Sequence, residues 1–130
     1  MLFSVRSCGH VSLALSALPG EVIFETYIIE IQNQTGYSVI RNGRDGDVMK
    51  EVATPGVLTC DEHQTFWVDW TGGHVRLGQG ANVGSKELIG WHDDSPHDVL
   101  SVSVRSNQDT ASWFVLREEV KCFKAMVTSI

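Results

Sequence analysis

The chain has 130 residues, with 10 Lys and Arg against 16 Asp and Glu and a formal net charge of −6. That length suits one domain, residues 1–130, large enough for an ordinary buried core; hydrophobic residues at 42% and charged residues at 20% exclude a disordered chain. An acidic chain with no run of Lys or Arg is a poor partner for nucleic acid, and no apolar run reaches the ~20 residues that a membrane-spanning helix needs.

In chain order, Met1-Leu2-Phe3-Ser4-Val5-Arg6 lacks the basic region and long apolar stretch of a secretory signal. By itself it leaves open a cytosolic protein and a fragment or processed form of a larger one. Val11, Leu13 and Leu15 then alternate with Ser12, Ala14 and Ser16, and Ile29 and Ile31 with Glu30 and Gln32. Phe66, Val68 and Trp70 alternate with Thr65, Trp67 and Asp69, and Val75 and Leu77 flank Arg76. Leu100, Val102 and Val104 alternate with Ser101, Ser103 and Arg105, and Trp113 and Val115 face opposite to Phe114 and Leu116. A period of two is that of half-buried strands. A last strand is expected through Phe123–Val127.

Turn signals separate these runs: Leu18-Pro19-Gly20, Asn42–Asp47, Thr54-Pro55-Gly56, Thr71-Gly72-Gly73, Gly78-Gln79-Gly80, His92–Pro96 and Ser106–Asp109. No segment of helical length has a 3.6-residue period. The spacing of about ten residues per strand and turn predicts an all-β, antiparallel β-sandwich, jelly-roll-like, with about eight to ten strands.

The three cysteines, Cys8, Cys60 and Cys122, are too few for a disulfide scaffold and wrongly spaced for structural zinc. Two readings stay open: three reduced thiols, or a Cys8–Cys122 bridge, because chain ends often lie close together. Asn33-Gln34-Thr35 is a glycosylation sequon if the protein is secreted.

Four groups of residues could carry chemistry. If Phe66, Val68 and Trp70 face inward, Trp67 and Asp69 face outward; a flat ring beside a carboxylate suits a sugar, whose apolar face stacks while its hydroxyls donate. The alternative is that both sheet faces are covered and Trp67 is core. Trp91-His92-Asp93-Asp94-Ser95-Pro96-His97-Asp98 gathers three carboxylates and two imidazoles in a loop, suited to sugar hydroxyls or to calcium, which takes oxygen donors, or to plain turn chemistry. Arg41 and the amide-rich turn after it could meet an acidic or hydroxylated ligand, or form a solvated hairpin. Asn107 in the 106–109 turn is a further contact candidate. The five histidines show no metal-binding motif, so a metal site would need them to converge by folding. No nucleophile elbow and no recognised cysteine–histidine spacing marks a hydrolase.

The motifs taken together resemble the farnesoic acid O-methyltransferase-type domain. The similarity runs from about Phe3 to Phe114: Phe3 and Val5, Leu13 and Leu15, Ser38-x-Ile40-Arg41, Thr54-Pro55-Gly56-x-Leu58, the core Phe66-Trp67-x-x-Trp70-x-x-Gly73-x-Val75-x-Leu77-Gly78, Trp91-x-Asp93 and Trp113. The chain departs from the family's glycine-rich Tyr-Glu-x-x-x-Gly-Gly-Trp-x-Asn segment, reading Thr26 to Thr35 there instead. The resemblance implies a module of secreted and complement-like invertebrate proteins, hence an extracellular setting and a role in innate recognition. Its name implies methyl transfer from S-adenosylmethionine. The residues, which lack βαβ alternation and a glycine-rich phosphate loop, instead point to a non-enzymatic, lectin-like carbohydrate-binding module without cofactor, working as a homo-oligomer. A small-molecule methyltransferase and a protein-interaction domain without small ligand are the alternatives.

Overall fold

The computed structural model describes residues 1–17, 26–43, 46–106, 112–117 and 122–127. They form eleven strands: β1 (Leu2–Arg6), β2 (His10–Ser16), β3 (Thr26–Gln32), β4 (Tyr37–Asn42), β5 (Val48–Ala53), β6 (Gln64–Asp69), β7 (His74–Gln79), β8 (Glu87–His92), β9 (Ser101–Ser106), β10 (Ser112–Arg117) and β11 (Cys122–Val127). One 3-10 turn, Thr71–Gly73, joins β6 to β7. A five-stranded sheet runs β10-β1-β6-β7-β8, and a six-stranded sheet runs β11-β9-β2-β3-β4-β5. Every pairing is antiparallel except β11 on β9, which is parallel. The described strands build the expected β-sandwich, with meanders β2–β5 and β6–β8 linked by crossings between the sheets.

The alternation read from the sequence sets the core. Phe3, Val5, Phe66, Val68, Val75, Leu77 and Ile89 point in from one sheet; Val11, Leu13, Leu15, Tyr27, Ile29, Ile31, Ile40, Val102 and Val104 point in from the other. A slip of one residue in any of these strands would turn its apolar set to solvent, so the pattern also fixes register. Phe3 stacks on Phe66 with ring centroids 5.5 Å apart, and Trp70 and Trp113 pack at the margin of the same cluster. Burying each large aliphatic or aromatic chain stabilises the fold by roughly 1.5–3 kcal/mol. Polar groups sealed at the core's edge find partners: Ser38 Oγ lies 2.6 Å from Thr54 Oγ1, and Ser16 Oγ lies 3.1 Å from Thr26 Oγ1.

The sandwich has two ends. At one lie the β6–β7 turn, the segment after β8 and the start of β5. At the other lie the β1–β2 turn, the β3–β4 turn and the loop from Thr54 to His63. A disulfide joins Cys8 to Cys60 at this second end. It corrects both sequence readings, three reduced thiols and a Cys8–Cys122 bridge. The reason is topological. Because β11 runs parallel to β9, Cys122 starts beside Ser101, which pairs with Ser16, while Cys8 follows β1 at the opposite end. Around the disulfide, the Ser7 N–H donates to Thr59 O at 2.8 Å. The Asn33 amide donates to Ser7 O and Cys8 O at 3.0 and 3.3 Å. The sequon asparagine is thus a clamp between two turns.

The bond spans 52 residues, so by loop-closure entropy it restricts the unfolded chain by about 4 kcal/mol. Replacing Cys8 and Cys60 together by Ser should lower the unfolding free energy by about that amount in denaturant titrations. A loss under about 1 kcal/mol would show that the loops are held without it.

Candidate functional site

Trp91 lies on β8, opposite Val75 on β7, so its side chain turns towards the interior at the edge of the sandwich. Its ring meets Tyr27 edge-on, with centroids 6.1 Å apart, and remains partly exposed. The chain then turns sharply at Asp93. The Asp93 N–H donates to Gly73 O at 2.9 Å; Oδ1 accepts from the Ser95 N–H at 2.9 Å; Oδ2 accepts from the Tyr27 hydroxyl at 2.6 Å. His97 stacks on the Tyr27 ring, centroids 4.2 Å apart. Its Nδ1 donates to Asp98 O at 2.8 Å, which places the proton on Nδ1, and its Nε2 is sealed from solvent without a partner. Burial raises the Tyr27 hydroxyl well above its ordinary pKa, and donation to the Asp93 carboxylate raises it further.

Glycine is obligatory in the facing turn. Gly73 has φ of 80°, and a Cβ there would stand 2.8 Å from Pro96 Cβ and 3.0 Å from Asp93 O. The β6–β7 turn and the loop after β8 therefore press directly on each other. Beyond this locked layer, His92 and Asp94 reach solvent. The Asp94 side chain is 100% exposed, and its Oδ1 lies 3.9 Å from His92 Nε2.

The sequence candidates divide accordingly. His92 and Asp94 face solvent together at the end of β8, 3.9 Å apart, while Trp91 beside them in the chain turns inward and is partly exposed. Asp93 lies directly behind them, but with 9% exposure and both oxygens engaged it holds the loop and does not face a ligand, which corrects its expected role. Asp69 shares the outer face of the five-stranded sheet with His92, yet its oxygens are taken by Arg76 Nη2 at 2.9 Å and the Thr71 hydroxyl at 2.8 Å. Arg41 sits on the other sheet, paired with Glu30. Asn107 lies outside the described residues.

Trp67 is the clearest correction. It does project outward, as the alternation predicts, but it is 0% exposed. Its ring lies over Gly78, where any Cβ would fall 2.0 Å from the indole. Its N–H donates to Ser85 O at 2.7 Å, and the Arg76 guanidinium sits 5.3 Å from the ring centroid. The segment between β7 and β8 folds back over the sheet and buries it, so Trp67 is core on the outer face and offers no stacking platform. Arg76, opposite Asp69 on β7, also reaches Glu87 at 3.6 Å.

Among the described residues no three His, Cys, Asp or Glu side chains stand as a group able to hold a metal ion. The calcium expectation for the Asp-rich loop has no assembled oxygen set there: Asp93 turns inward and Asp94 outward. Tyr27, His74 and Arg76 took no part in the sequence reading of the site. A tyrosine at an inward position of an alternating strand was the one available signal, since its hydroxyl must find a partner when buried.

Asp69 generates a prediction. Burial pushes its carboxyl up, but bonds to Arg76 and Thr71 outweigh this and hold it below the ordinary aspartate value. Its stabilising effect is therefore present above that ordinary value, near 4, and is lost as pH falls through the lowered one. The Tm gap between the native protein and Asp69→Asn should be open at pH 7 and close progressively below pH 4. A gap constant down to pH 2 would contradict the pairing. Separately, Trp67→Ala should cost about 3–5 kcal/mol and Gly78→Ala about 1–3 kcal/mol. A neutral Trp67→Ala in chemical denaturation would restore the exposed-platform reading.

A family model described as farnesoic acid O-methyl transferase matches residues 1–119. No curated protein and no solved structure matches the chain.

Proposed function

This chain belongs to the farnesoic acid O-methyltransferase family, and we propose that it is a non-enzymatic recognition domain for carbohydrate, with Trp91, His92 and Asp94 at the contact surface. The observation that carries the reading is a partly exposed indole, held edge-on by Tyr27, three residues along the chain from a fully exposed carboxylate. A pyranose offers an apolar face to the ring and hydroxyl donors to the carboxylate. The loop that presents these groups is fixed by three bonds to Asp93, so little ordering is left to oppose binding.

Methyl transfer has the family name in its favour. Enzymes that bind S-adenosylmethionine usually cradle it at a helix N-terminus above a parallel α/β sheet, whereas the described residues here are strands joined by turns. The Cys8–Cys60 disulfide favours an oxidising, extracellular compartment, where surface glycans are abundant ligands. Single sugar sites are weak, so such a module gains from multivalency. The edge strand β5 is a poor means to it. A two-fold antiparallel pairing centred on Lys50 or Glu51 sets that residue against its own copy, and like charges directly opposite repel.

A glycan array is expected to return binders whose affinity falls at least tenfold in Asp94→Ala and His92→Ala. Both variants remove exposed groups and should change stability by less than about 0.5 kcal/mol. Trp91→Ala should also abolish binding, with a stability loss because its ring packs on Tyr27. Micromolar calorimetric binding of S-adenosylmethionine, or sugar binding indifferent to all three substitutions, would overturn the proposal.

A further inference from the structure

Asn33-Gln34-Thr35 has the residue pattern of an N-glycosylation acceptor, and it fills the turn between β3, which ends at Gln32, and β4, which starts at Tyr37. Those two residues are register partners, and the Gly36 N–H donates to Gln32 O at 3.0 Å. The sequon is therefore pinned at both ends. Its side chains are engaged as well. The Thr35 hydroxyl donates to Gln32 Oε1 at 2.7 Å. The Asn33 amide has two hydrogens and meets two acceptors, Ser7 O at 3.0 Å and Cys8 O at 3.3 Å. We propose that Asn33 is an N-glycosylation acceptor gated by the fold: open until the Cys8–Cys60 end closes, and shut by its own amide bonds afterwards.

The transfer chemistry needs what the clamp takes away. Asn33 Nδ2 attacks the anomeric carbon of an oligosaccharide carried on a lipid pyrophosphate. A nitrogen–carbon bond forms, the carbon–oxygen bond to phosphate breaks, and the pyrophosphate leaves with the electron pair. One amide proton passes to a base of the transferase. In the folded chain both positions on Nδ2 where the sugar could attach point at carbonyl oxygens. An anomeric carbon placed along either bond would fall well inside contact distance of its acceptor. A chain modified first therefore loses at least one clamp bond when it folds.

The acceptor turn cannot simply swing aside. Ser7 is buried, its N–H donates to Thr59 O at 2.8 Å, its hydroxyl accepts from the Gly9 N–H at 3.1 Å, and Cys8 is bonded to Cys60. The disulfide also suits the oxidising compartment in which this modification occurs. The inference concerns a glycan carried by the chain, and it does not rest on the carbohydrate-recognition reading.

The test offers two forms of the full chain to a purified oligosaccharyltransferase with its lipid-pyrophosphate donor. One is the folded, disulfide-closed protein. The other is the chain reduced and alkylated at its cysteines. With the Cys8 and Cys60 Cα atoms 4.4 Å apart in the closed form, two alkyl adducts keep this end open whether or not the sandwich forms. Modification of the alkylated chain is expected at Asn33, located by peptide mass spectrometry and absent in Asn33→Gln and in Thr35→Ala. The closed protein should react at least tenfold more slowly. A smaller difference between the two forms overturns the gating, and an alkylated chain left bare at Asn33 overturns the site itself.

Discussion

The bond from the Tyr27 hydroxyl to Asp93 joins the two layers of the sandwich at the rim that carries the candidate site. Tyr27 belongs to β3 in the six-stranded sheet, and Asp93 follows β8 at the edge of the five-stranded one. Neither group can be left alone: a phenol 1% exposed and a carboxylate 9% exposed both carry a desolvation penalty if unpaired. Once formed, the bond locates the loop from Asp93 to His97. That loop places Pro96 on Gly73, lays His97 on the Tyr27 ring and leaves Asp94 no direction but outward. The exposed chemistry of this end is a consequence of one buried contact.

The outer face of the five-stranded sheet follows a similar logic with different material. A tryptophan facing away from the core should be half wet. Here Gly78 opens a bed for it, Arg76 covers one side, and the Ser85 carbonyl takes its N–H. Arg76 is in turn held by Asp69 and Glu87. The Phe-Trp-x-x-Trp…Leu-Gly pattern is therefore a packing device: Phe66 faces one layer, Trp67 the other, and the glycine that ends the motif is the partner of the second ring. A signature that looks like a binding surface in one dimension is here a small third layer in three.

Strands whose one face meets the core were legible from alternation alone: β2, β3, β6, β7 and β9 all appear where Val11–Leu15, Ile29–Ile31, Phe66–Val68, Val75–Leu77 and Val102–Val104 placed them. Less legible were β4, where Ser38, Val39 and Ile40 are buried in succession, and β5, an edge strand in which only Met49 and Val52 are partly covered. A period of two requires one wet face and one dry face, and these strands lack that contrast. The rim fared likewise. Trp91, His92 and Asp94 share one stretch of the chain, so their proximity in sequence was legible. The Tyr27–Asp93 and His74–His92 pairs join residues 66 and 18 positions apart, and only strand order brings them into contact. The cysteine pairing failed on the same ground, since the parallel placement of β11 has no local signature.

The two ends of the domain are secured by different chemistry, and this bears on where a ligand can act. Cys8–Cys60, the Ser7–Thr59 bond and the Asn33 amide tie three turns at one end, closing over the buried Leu58. At the Trp91 end the loops are tied by side chains directed inward, Asp93 and His97, while their neighbours in sequence, His92 and Asp94, are turned out. Alternation along a short extended segment, the same rule that builds the strands, here separates the residues that hold the loop from the residues that can meet something outside it. The sandwich's own in-and-out pattern thus continues one turn beyond the last hydrogen-bonded residue of β8.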